Sequence, residues 1–267
     1  MRAPLSPRTS ERSLGVRLAI TAAAAMVVFV PFAVLAILVI SAWWPLHSLD
    51  RWLADALHAY AVSHPDTVTA ARVWSNVFGP GPLRVLVAVV AVLLWWRGSR
   101  RSAIWAVITM AAGGVLGAVL KLIFGRNRPD LLDPVAHAPG YSFPSGHALN
   151  AALAAGVLVL ALLPVADRVR DQTRRRLLRW SMWALAAVIT GVTGLCRIAL
   201  GVHWMSDVLG GWVLGGALAA ATTAAFATWL GRPATEPVGE REDGAEDGAE
   251  DGAENSAKYA DTRPPHA

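Results

Sequence analysis

The chain has 267 residues, of which 55% are hydrophobic, and its mean hydropathy is positive at +0.44. This composition is too apolar for an ordinary soluble domain and indicates a membrane protein. The net charge of +5 does not point to a nucleic-acid partner, because the arginines lie in short clusters beside apolar runs. Cys196 is the single cysteine, which excludes an intrachain disulfide and a cysteine-based metal site.

Six apolar runs are long enough to cross a bilayer, in chain order at 18–44, 81–96, 102–124, 147–165, 180–200 and 206–230. The mixed segment 45–80 spaces its apolar side chains on one helical face, so we expect an interfacial helical segment there. Several tryptophans lie near the predicted span ends, where their rings favour the headgroup level. The sequence therefore predicts an all-α fold, with a six-span transmembrane helical bundle over residues 18–231.

Arginines predict the orientation of this bundle. The basic tail at 1–17 carries four, the 97–101 loop three and the 166–179 loop six. Alternation through six spans puts these segments on one side, which the positive-inside rule makes the cytoplasm. We therefore expect a multi-pass plasma-membrane protein with both termini cytoplasmic, and with 45–80, 125–146 and 201–205 on the extracytoplasmic side.

The C-terminal segment 232–267 differs from the rest of the chain. It contains EDGA three times at 242–253 and has few large apolar residues. Such a segment buries too little surface to offset the entropy lost on ordering. We expect a disordered acidic tail.

Three polar clusters interrupt the apolar pattern: Lys121 with Arg128-Pro129, then Pro144-Ser145-Gly146-His147, then Arg197 with His203 and Asp207. Each cluster alone has an ordinary explanation, such as a snorkelling cation, an N-cap serine or a structural ion pair. The predicted topology, however, brings all three to one outer face of the bundle. Three cations and two histidines beside one carboxylate suit an anion site.

Phosphate chemistry fits these residue types. Phosphoryl transfer needs positioning and charge stabilisation, which arginine forks and a lysine supply. Ser145 and Gly146 open the fourth span, where free N–H groups attract anions and glycine permits close approach. His203 and Asp207 are four residues apart, so the carboxylate can hold one ring nitrogen and leave the other nucleophilic. His147 can protonate the leaving oxygen.

The set K-x6-RP, PSGH and R-x5-H-x3-D closely resembles the three-part signature of the type 2 phosphatidic acid phosphatase superfamily, in its lipid phosphatase and polyprenyl diphosphatase branch. The resemblance implies a phosphatase that needs no metal or cofactor and forms a phosphohistidine. By motif position, His203 would be the nucleophile, Asp207 its orienting partner and His147 the acid. The phosphate ligands would be Lys121, Arg128, Ser145, Gly146 and Arg197. One position departs from the pattern, since Cys196 stands where serine is common, and this puts a hydroxyl contact there in doubt.

A lipid phosphate or a polyprenyl diphosphate is the expected substrate, with membrane lipids as the other partners. The diphosphate is slightly favoured because its extra charge would use three cations well. A membrane transporter of a phosphorylated lipid or anion is the alternative from another class, although the charges cluster at helix ends rather than midpoints. Soluble vanadate-dependent haloperoxidases share the signature, but the apolar runs argue against one. A magnesium-dependent prenyl transferase would have only Asp130 and Asp133 for the metal.

Two pairs of glycines lie four residues apart within predicted spans, Gly113 with Gly117 and Gly211 with Gly215. Such pairs allow close helix packing, either within a monomer or between subunits. We expect packing within the monomer, and the sequence leaves the oligomeric state open.

Overall fold

A computed structural model describes Met26 and residues 29–132 and 134–230 of the chain. The predicted basic tail at 1–17, the beginning of the first span, Asp133 and the predicted disordered tail at 232–267 lie outside the described residues.

Within these ranges the chain is helical, and no strand occurs. The helices are α1 (Phe29–Ile40), α2 (Trp44–Ser63), α3 (Pro65–Val77), α4 (Pro80–Trp96), α5 (Arg100–Phe124), α6 (Gly146–Ala166), α7 (Gln172–Ala199) and α8 (Met205–Leu230). The all-α prediction is confirmed.

Five helical stretches in the described part are long and apolar enough to cross a membrane, and the number reaches six if α1 and α2 count as one span. α1 and α2 meet at an angle of 84°. α3 and α4 together form one stretch of 32 residues, Pro65–Trp96, so the short predicted span at 81–96 is the second part of a longer one. The segment 45–80 is thus helical, as expected, but its second half continues into a span.

α7 begins earlier than the sequence predicted. Residues 166–179 were expected to form a loop, whereas the helix starts at Gln172. Asp171 caps it, because its side chain accepts a hydrogen bond from the backbone N–H of Arg174. The arginines that follow favour helix, so the basic stretch extends the span instead of ending it.

α6 lies at the centre of the bundle and packs against α4, α5, α7 and α8. The two predicted glycine pairs face it. A Cβ atom on Gly113 or Gly117 would lie 2.1 and 2.6 Å from Leu153 and Leu149 of α6. One on Gly215 would lie 2.7 Å from Cβ of Ala152. The prediction that these glycines serve packing within the monomer is confirmed.

The polar motifs meet at one end of the bundle, where α5 and α7 end and α6 and α8 begin. Gly125 ends α5 with a φ of +58°, which glycine adopts without strain, and its N–H bonds to the carbonyl of Lys121. Gly201 follows α7 with a φ of +67°, and a Cβ there would lie 2.6 Å from Leu131. The loops 125–145 and 200–204 therefore turn sharply and pack against each other.

Candidate active site

His203 and Asp207 form the centre of the site. Nδ1 of His203 lies 3.3 Å from Oδ2 of Asp207, and the same oxygen accepts a bond of 2.9 Å from the N–H of Trp204. α8 begins at Met205, so His203 lies in the turn that precedes the helix. The carboxylate still reaches the ring because it folds back over the turn before α8.

Arg128 contacts the other nitrogen of this ring. Its Nη1 lies 3.2 Å from Nε2 of His203 and donates to the carbonyl of Val202 over 2.6 Å. Its remaining donors bond to the carbonyls of Pro139, Gly140 and Tyr141. Because arginine only donates, Nε2 carries the lone pair and Nδ1 carries the proton that faces Asp207. This tautomer leaves Nε2 as the nucleophilic atom.

Lys121 joins the site from the last turn of α5. Its Nζ donates to the carbonyl of Tyr141 over 2.6 Å and lies 3.4 Å from that of Ser142. Its Cε lies 4.0 Å from the position that a Cβ on Gly146 would take. The ammonium group is thus placed beside the start of α6.

Ser145 is the residue before α6 and is fully buried. Its N–H donates to the carbonyl of Asp207 over 2.9 Å, which joins the starts of α6 and α8. Its hydroxyl caps no helix and has no hydrogen-bond partner within the described part of the chain. This hydroxyl is available to a bound group.

His147 lies one residue into α6, beside the junction of α3 and α4. Its Nε2 would be 3.5 Å from a Cβ on Gly79, and its ring interacts with the backbone of Ser75. The charges of Arg197 and Arg128 act on it, as does that of His203. The two histidines therefore interact with the same group of cations, one from α6 and the other from the loop before α8.

Arg197 stands on the last turns of α7. Its Nε is buried and has no hydrogen-bond partner among the residues that the structure describes. Its neighbour Cys196 packs with Ala71, Leu200 and Val202. The side chain at position 196 thus packs against apolar residues.

A second network, which the sequence reasoning missed, supports Asp207. Arg126 donates from Nη1 to Oδ1 of Asp207 over 2.6 Å and from Nη2 to Oδ2 of Asp50 over 2.8 Å. Both carboxylates are fully buried. Asp50, from α2, also accepts from the N–H and the hydroxyl of Ser206, at 2.9 and 2.5 Å. The hydroxyl of Ser142 lies 3.5 Å from Oδ1 of Asp207.

Signals for this network were present in the sequence, although the motif spacing did not select them. Arg126 lies within the K-x6-RP stretch, and Asp50 is a carboxylate on the amphipathic segment between the first two predicted spans. Only the fold shows that α2 crosses the end of the bundle where α8 begins.

Electrostatics favour a neutral nucleophile in this site. Burial lowers the pKa of His203 to about 4, although the hydrogen bond and the charge of Asp207 raise it. The ring is therefore uncharged at neutral pH, with Nε2 unprotonated. Lys121 interacts with the charges of Arg128, Asp207 and Arg197, so the predicted residues form one cluster. A neutral imidazole among three cations can attack a bound phosphate.

Comparisons with known proteins relate this chain to membrane phosphatases. Residues 102–230 match the model of the PAP2 superfamily. Phosphatidylglycerophosphatase B of Bacillus subtilis is 28% identical over 180 residues, which cover 61% of this chain and 84% of that protein. Undecaprenyl-diphosphatase of Sulfolobus acidocaldarius is 33% identical over 138 residues, which cover 49% of this chain and 58% of that protein.

A solved structure has the same fold. The crystal structure of a transmembrane PAP2 type phosphatidylglycerolphosphate phosphatase from Bacillus subtilis matches with a TM-score of 0.67. The match covers 78% of this chain and 98% of that one at 24% identity. With the motif residues assembled at one end of the bundle, the chain resembles integral-membrane phosphatases of the PAP2 superfamily over residues 102–230.

Proposed function

We propose that this protein hydrolyses a lipid phosphate or a polyprenyl diphosphate at the extracytoplasmic face of the plasma membrane, through a phosphohistidine intermediate. The observation that carries the proposal is the geometry around His203. Asp207 holds Nδ1 at 3.3 Å, while Nε2 faces the guanidinium of Arg128 at 3.2 Å. A phosphate bound to that guanidinium would lie next to the nucleophilic nitrogen.

The terminal phosphate of the substrate is bound by Lys121, Arg128 and Arg197, whose charges match those on its oxygens. Ser145 offers its unpartnered hydroxyl, and the N–H of Gly146 at the start of α6 offers a donor along the helix dipole. The hydroxyl of Ser145 and the N–H of Gly146 are in place before the reaction and can stabilise the charge of the transition state without reorganisation. Arg128 and Lys121 donate to backbone carbonyls in the free protein and would exchange some of these partners for phosphate oxygens.

The reaction has two steps. Nε2 of His203 attacks phosphorus, the bond from phosphorus to the leaving oxygen breaks, and His147 donates a proton to that oxygen. Asp207 stabilises the ring as it gains positive charge. A water molecule then attacks the phosphohistidine, giving a proton to His147, and the P–N bond breaks. Inorganic phosphate leaves, and both histidines return to their first state.

The substrate class is supported by the relatives, which are named for a phosphatidylglycerophosphatase and an undecaprenyl-diphosphatase. Both names denote a phosphate on a lipid. The site lies at the ends of apolar helices, where a lipid can present its phosphate while its tail stays in the bilayer. The decisive test is phosphate release by the purified protein in detergent from a panel of lipid monophosphates and diphosphates. Release that is lost in His203→Ala supports a phosphatase, and transport without release refutes it.

The extracytoplasmic orientation rests on the arginine clusters. Reporter fusions after residues 100, 138 and 172 should read cytoplasmic, extracytoplasmic and cytoplasmic. Loops 97–99 and 167–171 lie at the end of the bundle opposite the site, so a reversed pattern would place the site in the cytoplasm.

A further inference from the structure

A cleft opens beside the site, between α3 and the loop 125–145. Its volume is about 520 Å³. Its wall is formed by Arg72, Ser75, Asn76, Pro134, Val135, Ala136, His137, Arg197 and Leu200. The described residues of this wall include two arginines and a histidine and no carboxylate, so the cleft favours an anionic ligand.

Two buried polar atoms in this wall have no hydrogen-bond partner within the described part of the chain, Oγ of Ser75 and Nε of Arg197. Ser75 as a whole is only 3% exposed. A buried donor without a partner costs free energy, and most such groups in proteins are satisfied. Both atoms therefore point to a polar ligand in the cleft.

The cleft lies on the leaving-group side of the proposed reaction. His147, the proposed acid, interacts with the backbone of Ser75 and with the charge of Arg197, and both residues line the cleft. The phosphoryl group itself would be at His203. Whatever leaves the phosphorus atom must depart past His147, which is toward the cleft.

We propose that this cleft binds a second phosphate, carried by the leaving group, and that Arg72 and Ser75 select substrates that have one. This inference rests on the proposed function and narrows its substrate class. In a polyprenyl diphosphate the leaving group is a lipid monophosphate. In phosphatidylglycerophosphate the leaving group keeps a phosphodiester. Phosphatidic acid and a polyprenyl monophosphate leave no anion for the cleft to bind.

Two matched pairs of lipids test the proposal with the full-length protein in detergent. One pair is a polyprenyl diphosphate and the monophosphate of the same chain length. The other is phosphatidylglycerophosphate and the phosphatidic acid with the same acyl chains. Since the members also differ in intrinsic reactivity, the measured quantity is how the ratio of their kcat/KM values changes in variants.

Ser75→Ala is the sharpest variant, because its hydroxyl has no hydrogen-bond partner within the described residues and its loss removes no hydrogen bond there. We expect kcat/KM for the two-phosphate lipids to fall by about tenfold, the effect of one charge-assisted hydrogen bond. For the one-phosphate lipids we expect a fall of less than about threefold. Arg72→Gln should act in the same direction, and Arg72→Lys, which keeps the charge, should retain part of the preference.

The control is Arg51→Gln on α2, an exposed arginine that contacts His47 at 3.3 Å and lies outside the cleft. It should leave both ratios unchanged. If the variants lose the preference for the polyprenyl diphosphate over the monophosphate, the cleft serves a diphosphate substrate. If they lose the preference for phosphatidylglycerophosphate over phosphatidic acid, the cleft serves a substrate whose second phosphate is linked through glycerol. Equal effects of Ser75→Ala and Arg72→Gln on both members of both pairs would overturn the inference. If the wild type releases phosphate from none of the four lipids, the proposed function itself fails.

Discussion

Arg126 Nη1 lies 2.6 Å from Oδ1 of Asp207, and its Nη2 lies 2.8 Å from Oδ2 of Asp50. One guanidinium thus holds two buried carboxylates, one of which orients His203. Because Asp207 also accepts from the N–H of Trp204, its position is fixed from three directions. Arg126 is a positioning residue, since it acts on the nucleophile through Asp207.

Removing this guanidinium should lower both the stability of the fold and the catalytic activity. Arg126→Gln leaves two buried carboxylates without their cation, and breaking a buried pair in this way costs about 3–5 kcal/mol. We expect a lower thermal unfolding temperature in detergent and a fall in kcat with little change in KM. Both are measured on the same purified sample.

Asp50→Asn separates the two effects. It keeps the shape of the side chain and the contact between Arg126 and Asp207, so it should destabilise the protein while reducing kcat less than Arg126→Gln does. Arg51→Gln, on the same helix but exposed, is the matched control. A KM effect as large as the kcat effect would contradict a positioning role.

Motif spacing was sufficient to identify the polar residues that the fold brings together, because Lys121, Arg128 and His203 each lie at or near the end of an apolar run. Alternating spans leave few ways to arrange such ends, so their common location follows from topology. The sequence did not reveal Asp50, since a carboxylate on an amphipathic helix is ordinarily exposed. Its burial depends on the 84° bend between α1 and α2, which no local pattern encodes.

Span boundaries were predicted well where apolar runs stop at glycine or proline, as at Gly125. They were predicted poorly where charged residues continue a helix. α7 extends to Gln172 because arginine is a good helix former and Asp171 supplies the cap. Hydropathy measures the apolar length of such a helix and not its full length.

The two histidines should respond differently to the leaving group. His147→Ala removes the proposed acid and should lower kcat by about 10²–10⁴-fold on an alkyl phosphate. A leaving group of low pKa needs no proton, so it should restore much of that loss. His203→Ala removes the nucleophile and should not be rescued. Steady-state rates on a series of phosphate esters check this, and equal rescue of both variants would show that the roles are misassigned.

The low pKa of His203 predicts an unusual pH dependence of phosphoenzyme formation. Burial lowers its pKa to about 4, below the ordinary value of 6.5, so the neutral ring is the favoured form in the folded protein. Its contribution to stability is present above pH 6.5 and is lost as the pH falls through about 4. With a leaving group that needs no acid, phosphoenzyme formation should therefore remain fast down to about pH 5.

Rapid-quench measurement of the phosphoenzyme between pH 4 and 8 checks this expectation. The substrate phosphate itself titrates near pH 6. This titration is measured separately by phosphorus NMR, and its contribution is subtracted from the pH profile of phosphoenzyme formation. Asp207→Asn should move the remaining acid limb to lower pH, since Asp207 raises the pKa of His203. An acid limb centred between pH 6 and 7 in the wild type would mean that the ring is not desolvated as the structure indicates.

The contact between α6 and α8 should be sensitive to a single methyl group. A Cβ on Gly211 would lie 2.7 Å from the carbonyl oxygen of Ser145 and 2.8 Å from Cβ of Ala148. Gly211→Ala must therefore push α8 from α6 where Ser145 bonds to Asp207. We expect a loss of about 1–3 kcal/mol in stability and a clear fall in kcat.

Gly216, five residues further along α8, provides the matched control. It is exposed, and a Cβ there would meet nothing within 4 Å. Since alanine favours helix over glycine by about 1 kcal/mol, Gly216→Ala should leave stability equal or higher and activity unchanged. Thermal unfolding and phosphate release, measured on both variants, decide the matter. If Gly211→Ala behaves like Gly216→Ala, then α6 and α8 do not meet as closely as described, and the starts of the two helices are not held together by that contact.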